Sequence, residues 1–516
     1  MLSIGLIIYL IAVPLFSYRI STNDFNRLTI LLLIFSSILS FPNFINNTIS
    51  NGIAVYNGIF YVNYITIIIE SFIYAIAAII LFGWSKISNT TINYKNIQNF
   101  SIFPTINEFN LAVIFSVVGS SILISSSDLI SIYISIELQS FGVYILSTLY
   151  RNSESSTSAG LKYFLLGGLS SAIILLGCSF IYGYFGTTNL DNIFSMVSVI
   201  SYNITSNIVN SALFGIILIG CGFIFKVASA PFHNWAPDVY DQTPTIVTVW
   251  ISSIPKIAIF LFIFQLQIGF TGNFDIISII SNDITINVWK NFLLFCSFSS
   301  LFIGTIIGLS QYRIKRLLTY STISHVGFIL LAISINTHES TKSFLFYLIQ
   351  YTITNINVFF IVLAFGYILK NKLSNSERIE IEFIDEFKQI FKQNVVLSIS
   401  FSICIFSIAG IPPLIGFFAK QIVLYSAIHS GYYFIAIIAI LVSVISASYY
   451  LKIIQVISFD AYNTINTNNN EDNSNVITNA QSIIISIITI VIVLFIVKPN
   501  ILLNTCHLLS LCYFTN

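Results

Sequence analysis

Apolar runs long enough to cross a bilayer recur from one end of this sequence to the other, with short polar links between them. A hydrocarbon core of about 30 Å is crossed by about twenty apolar residues in a helix. On that measure the pattern predicts about fourteen spans. They fall at 2–18, 28–46, 61–84, 107–126, 128–150, 161–185, 209–230, 245–268, 290–309, 319–336, 343–370, 394–417, 421–457 and 480–497. The stretch 421–457 exceeds one upright crossing and is read as a single tilted or kinked helix. A short apolar tail, 501–514, is read as lying against the membrane. The links leave no room for a soluble domain, so the fold class is an all-α polytopic membrane protein.

Two links differ from the rest. Residues 371–393 concentrate charge between apolar positions, which fits either an amphipathic helix in the interface or a solvated loop. Residues 458–478 are rich in Asn without periodicity and read as a flexible loop.

Composition agrees with the pattern. The chain is 56% hydrophobic and 8% charged, where a soluble domain carries about 25% charged residues. The solvent is therefore lipid, and phospholipid is an implied partner. A formal net charge of +1 offers no basic surface for nucleic acid. The six cysteines form no C-x-x-C pair and the five histidines lie in separate segments, so neither a metal nor a redox site is expected. Apolar residues begin at Leu2, and no Arg-rich presequence is read at the start. Heavy use of Ile, Phe, Asn and Tyr, with two Met, fits an A+T-rich genome such as an organelle's.

The chemistry lies in the few charges set inside the spans. Lys226 stands deep in the run that begins near 209, just ahead of a break at Pro231 and a polar elbow from Phe232 to Asp238. Lys256 follows Pro255 in the next run, Lys420 follows the break Gly410, Pro412, Pro413, and Glu137 sits in ISIELQSFGVYIL. A charge inside hydrocarbon costs a few kcal/mol even on lenient scales, so each is a functional candidate. Proline and glycine breaks add free backbone carbonyls beside Lys226 and Lys420. The plain alternative is a snorkelling side chain or a fixed ion pair, and it is strongest for Lys256, which sits nearer a span start. Glu137 is too short to snorkel far and calls for a buried cation.

Lys162, opening its span, fits either the partner of Glu137 or an interfacial anchor. His325 fits either a proton relay near neutral pH or a packed histidine. Lys315 and Arg316 read as anchors ahead of a span, and His233 and Asp238 as caps or braces of the elbow. Glu70 requires a partner that the sequence does not name. The breaks near 231 and 412 fall at comparable places in two halves, which hints at inverted repeats with a site at mid-membrane.

At these residues the chain resembles the antiporter-like, proton-translocating membrane subunits of respiratory NADH:ubiquinone oxidoreductase (complex I), and among them the subunit 2 family in its mitochondrial form. The stretches that carry the resemblance are SIELQSFGVYIL (135–146), AGLKYFLLGGLSSAIILLG (159–177), FKVASAPFHNWAPDVYDQTPT (225–245), SIPKIA (253–258), IKRLLTYSTISHVGF (314–328) and AGIPPLIGFFAKQ (409–421). They run in order from about 130 to 430. The Glu-Leu-Gln and Ile-Pro-Lys settings favour subunit 2 over its antiporter-like neighbours. The elbow departs from the family in reading Asp241-Gln242-Thr243-Pro244, where a Gly-Ala pair usually precedes the proline.

The resemblance implies two inverted five-helix repeats with broken helices. The chain would divide into N-terminal helices (1–106), a first repeat (107–268), a second repeat (269–457), the Asn-rich loop (458–479), and a C-terminal helix and tail (480–516). It implies a proton relay in which Glu137 pairs with Lys226 and Lys256 connects them to Lys420; Lys162 and His325 remain further candidates from their own settings. It also implies that this chain binds no cofactor. NADH, FMN, iron–sulfur clusters and ubiquinone would belong to partner subunits of the complex, in the mitochondrial inner membrane. A cation/proton antiporter of the related multi-subunit type is the alternative, since it shares the broken helices and lysines. A purely structural scaffold would leave the embedded charges without a purpose.

Overall fold

The computed structural model describes residues 1–16, 19–45, 52–83, 108–150, 153–200, 206–272, 278–281, 284–372, 380–388, 390–459 and 479–514. The first part of the chain holds α1 (Leu2–Phe16), α2 (Thr22–Ile45), α3 (Tyr64–Gly83), α4 (Phe109–Ser125), α5 (Leu129–Ser147), α6 (Glu154–Phe185) and α7 (Leu190–Ile200). The middle holds α8 (Ser206–Val227), α9 (Trp235–Gln242), α10 (Thr245–Gly272), α11 (Val288–Leu309), α12 (Ile314–Ile335) and α13 (His338–Lys372). The last part holds α14 (Ile390–Gln393), α15 (Val395–Ala409), α16 (Ile415–His429), α17 (Tyr433–Ser458), α18 (Asn479–Leu494) and α19 (Asn500–Phe514). Two small antiparallel hairpins complete it: β1 (Ile53–Val55) pairs with β2 (Phe60–Val62), and β3 (Ser278–Ser281) with β4 (Ile284–Asn287). Nine of the described helices are long and apolar enough to cross a membrane, and five shorter apolar helices accompany them. The protein is membrane-embedded and multi-pass.

Local chemistry sets the helix ends. Asp128 caps α5 by accepting from the Ile130 amide at 3.1 Å, and Asn394 caps α15 by accepting from the Leu397 amide at 3.1 Å. The core is organised about α10, α12 and α13, whose apolar residues are almost wholly buried, whereas α6, α17 and α18 leave broad apolar faces outward. α4 packs on α5, α6 on α8, α11 on α12 and α13 on α16. In lipid the outward faces need no polar cover, so the charges gather inward.

Several boundaries differ from the hydropathy pattern. The stretch 421–457 is not one helix: α16 ends at His429 and α17 starts at Tyr433, with Gly431 between them at φ +84. That left-handed backbone suits glycine and turns the chain. α12 begins at Ile314, so Lys315 and Arg316 lie within a helix. α7, which hydropathy did not single out, packs against α10. In the charged link 371–393, α13 runs on to Lys372 and the described remainder forms a single helical turn, Ile384–Phe387, followed by α14. Residues 373–379 and 389, and 460–478 of the Asn-rich loop, lie outside the described residues.

Candidate functional site

The two broken helices place lysines in opposite ways. α8 stops at Val227 because Ala228 turns into the left-handed region at φ 64, and Pro231 then bars continuation. Lys226 is therefore in the last turn, where helix carbonyls favour a cation. Its Nζ stands 3.7 Å from Glu137 Oε1 of α5, with both side chains largely buried. At that distance the two form an ion pair without a hydrogen bond, and neither atom has another hydrogen-bond partner.

The second break follows α15. Gly410, at φ +85, donates to the carbonyls of Phe406 and Ser407 at 3.0 and 3.1 Å, and Ile411 donates to Phe406 at 3.1 Å. This is a glycine C-cap of the Schellman kind, and Pro412 and Pro413 prevent the helix from resuming. Lys420 stands one to two turns into α16 and reaches back across the gap. Its Nζ donates to the freed Ala409 carbonyl at 2.8 Å and lies 5.7 Å from the centre of the Phe328 ring. Gly416 permits this approach, since a Cβ there would fall 1.8 Å from the Ser407 carbonyl oxygen. Among the described residues no carboxylate pairs with Lys420.

Between the breaks lies Lys256. It stands about three turns into α10 and is 2% exposed, so it does not snorkel. Its Nζ contacts the Tyr351 hydroxyl at 3.3 Å and the Thr322 hydroxyl at 3.4 Å, and stands 5.7 Å over the Tyr240 ring. His325, one turn beyond Thr322 on α12, shares a 2.6 Å hydrogen bond between Nδ1 and the Tyr347 hydroxyl. It lies within electrostatic reach of both Lys256 and Lys420. Thus α10, α12, α13 and α16 carry a buried file from Lys256 through Thr322 and His325 towards Lys420. Lysine, histidine and tyrosine at such spacing can hold and pass protons, while like charges along the file oppose being protonated all at once.

Other candidates fall elsewhere. Lys162 is not the partner of Glu137. It stands about two turns into α6 and donates to Asp238 Oδ2 at 3.1 Å on an exposed rim, while Glu137 lies in the middle of α5 and pairs with Lys226. Lys315 and Arg316 are not lipid anchors: Lys315 is buried, donates to the Thr243 carbonyl at 2.8 Å and pairs with Glu380. Arg316 bonds Asp238 and Asp241 of α9 at 3.1 and 2.9 Å. Asp238 braces the elbow, and the carbonyl of His233 accepts the Ala236 amide at 3.0 Å at its opening. Among the described residues no cation pairs with Glu70; its electrostatic neighbour is Tyr74, one turn along α3.

Sequence inspection missed Tyr240, Thr322, Tyr347 and Tyr351. A signal was present for the last two. Tyr347, Tyr351 and Asn355 recur at helical spacing in an apolar span and form a polar stripe that lipid would not tolerate.

Comparison with known proteins fits this arrangement. Residues 126–446 match the family described as NADH:quinone oxidoreductase/Mrp antiporter, transmembrane. The NADH-ubiquinone oxidoreductase chain 2 of Rhizopus oryzae is 48% identical over the whole of both chains. The NADH-quinone oxidoreductase subunit N of Pelagibacter ubique is 35% identical over 85% of this chain and 84% of its own. The fold is shared with a chain of respiratory complex I from Thermus thermophilus, at a TM-score of 0.71 and 21% identity, covering 98% of this chain and 99% of that one. The chain belongs to the family of antiporter-like membrane subunits of NADH:quinone oxidoreductase, on the branch of chain 2 and subunit N.

Proposed function

We propose that this chain is a proton-translocating subunit in the membrane arm of respiratory NADH:ubiquinone oxidoreductase. Partner subunits hold NADH, FMN, the iron–sulfur clusters and ubiquinone, and the complex resides in the mitochondrial inner membrane, with this chain encoded in the organelle genome. Residues 107–268 and 269–457 act as two repeats, each with one broken helix. The observation that carries the reading is the buried file of Lys256, Thr322, His325 and Lys420, together with the loose Glu137–Lys226 pair.

The mechanism follows from electrostatics. Glu137 stands 3.7 Å from Lys226 as its counter-charge, and any movement that widens this gap removes that counter-charge in a low dielectric, where the loss is severe. The proton then leaves Lys226 towards Lys256, whose hydroxyl contacts join it to the His325 helix. A proton arriving at Lys256 repels those further along, and Lys420 can release one without stranding a carboxylate. Electron transfer elsewhere in the complex supplies the pulse that moves the pair.

Two experiments test this. On a native gel of mildly solubilised membranes, the chain should co-migrate with a very large NADH-oxidising band. Migration apart from that activity would favour a cation/proton antiporter instead. In sealed membranes, Lys226→Ala should abolish proton pumping coupled to NADH oxidation, and pumping at the normal level would refute the relay.

A further inference from the structure

The short helix α9, between the Lys226 break and the start of α10, has two faces with separate work. Its inner face meets both lysine sites. Trp235 donates from Nε1 to the Phe225 carbonyl at 2.9 Å, directly beside Lys226, and its ring stacks on Phe225. Tyr240 packs edge-on against Trp235 and lies beneath Lys256, with 5.7 Å from Nζ to its ring centre.

Its outer face is gripped from both halves of the chain. Asp238 accepts from Lys162 of α6 at 3.1 Å and from Arg316 of α12 at 3.1 Å. Asp241 accepts from Arg316 at 2.9 Å and from Arg313 at 2.7 Å, and its side chain is only 3% exposed. The Asp241 carboxylate raises Arg313 above the ordinary guanidinium range, first through this hydrogen bond. Gln242 accepts from Ser158 of α6 at 3.3 Å. Exposed pairs such as Lys162–Asp238 contribute little individually. A buried carboxylate shared by two guanidinium groups is different, because it tolerates only one geometry.

We propose that α9 is a lever joining the two lysine sites, with Asp238 and Asp241 as positioning residues that tie it to α6 and α12. This rests on the relay reading above. A shift of α12, which also carries Thr322 and His325, pulls on Asp238 and Asp241 through Arg313 and Arg316. α9 turns with it and changes the setting of Lys226 through Trp235 and of Lys256 through Tyr240 in one movement. The two halves then respond together, although no charged group bridges Lys226 and Lys256 directly among the described residues.

The test compares Asp238→Asn, Asp241→Asn and Lys226→Ala in the assembled complex in sealed membranes. Protons moved per NADH oxidised are normalised to the assembled band. Asp241→Asn should lower that ratio by roughly tenfold, since a misplacement of about 1 Å can cost that much or more. Asp238→Asn should lower it less, and Asp238→Glu should restore it, a rescue that a general loss of folding would not give. Should Asp241→Asn fail to assemble, the half-exposed Asp238 decides. If Lys226→Ala abolishes pumping while Asp238→Asn leaves the ratio unchanged, the lever is wrong and the relay stands. If Lys226→Ala also pumps normally, the relay reading itself has failed and the lever with it.

Discussion

Lys226 and Lys420 sit at the two broken helices of one chain, yet they are held by different partners. Lys226 ends α8 and faces the Glu137 carboxylate across 3.7 Å. Lys420 belongs to the helix after its break and donates to the Ala409 carbonyl at the end of the helix before it. In the first site charge meets charge, and in the second a charge meets a backbone dipole. Losing a proton at Lys226 therefore leaves an uncompensated carboxylate, whereas Lys420, once neutral, keeps amine N–H groups to donate to the Ala409 carbonyl. In the proposed relay this difference would set a direction, with the paired site storing the signal and the carbonyl-held site letting the proton go.

The largest effect that would sharpen this contrast comes from removing one partner of the pair. Glu137→Ala strands Lys226 in a low dielectric, a cost of about 3–5 kcal/mol, and the assembled complex measured on a quantitative native gel should fall sharply. Lys420→Met strands only the Ala409 carbonyl, about 1–3 kcal/mol, so assembly should persist while pumping is lost. Equal assembly of the two variants would erase the distinction. Next in size, the double variant Glu137→Gln with Lys226→Met should regain assembly lost in Glu137→Ala, without regaining pumping, because it removes both charges together.

A smaller effect is expected at the second break. Gly410→Ala places a Cβ 2.9 Å from Lys420 Cδ on backbone at φ +85. The left-handed conformation alone costs about 1–2 kcal/mol, and the thermal midpoint of the complex should drop accordingly. The smallest change is Tyr351→Phe, which removes one hydroxyl from Lys256 at a cost of about 0.5–1.5 kcal/mol. Pumping should slow by less than tenfold, with assembly unchanged. A complete loss would mean that the tyrosine itself carries the proton.

Apolar length, the Pro and Gly breaks, and the isolation of Glu137, Lys226, Lys256 and Lys420 in apolar runs are all properties of neighbouring residues. Hydrocarbon punishes each exposed polar group one by one, so the sequence by itself determined that the chain is all-α and membrane-embedded, and that Glu137, Lys226, Lys256 and Lys420 lie within its apolar runs. It also pointed to the two helix breaks, where proline stands among further helix breakers, as in Gly410, Pro412 and Pro413; a lone proline such as Pro255 is carried inside α10.

Only the tertiary structure decided the partners. Lys162 joins Asp238 rather than Glu137, Lys315 and Arg316 brace the segment around α9 rather than anchoring to lipid, and Lys420 bonds a carbonyl eleven residues back. Lys256 meets Thr322 and Tyr351 from two other helices. Such pairings depend on how helices rotate and cross, and those angles are set by packing over many side chains at once. A charge inside a span declares that it needs a partner, but only the assembled bundle brings one within reach.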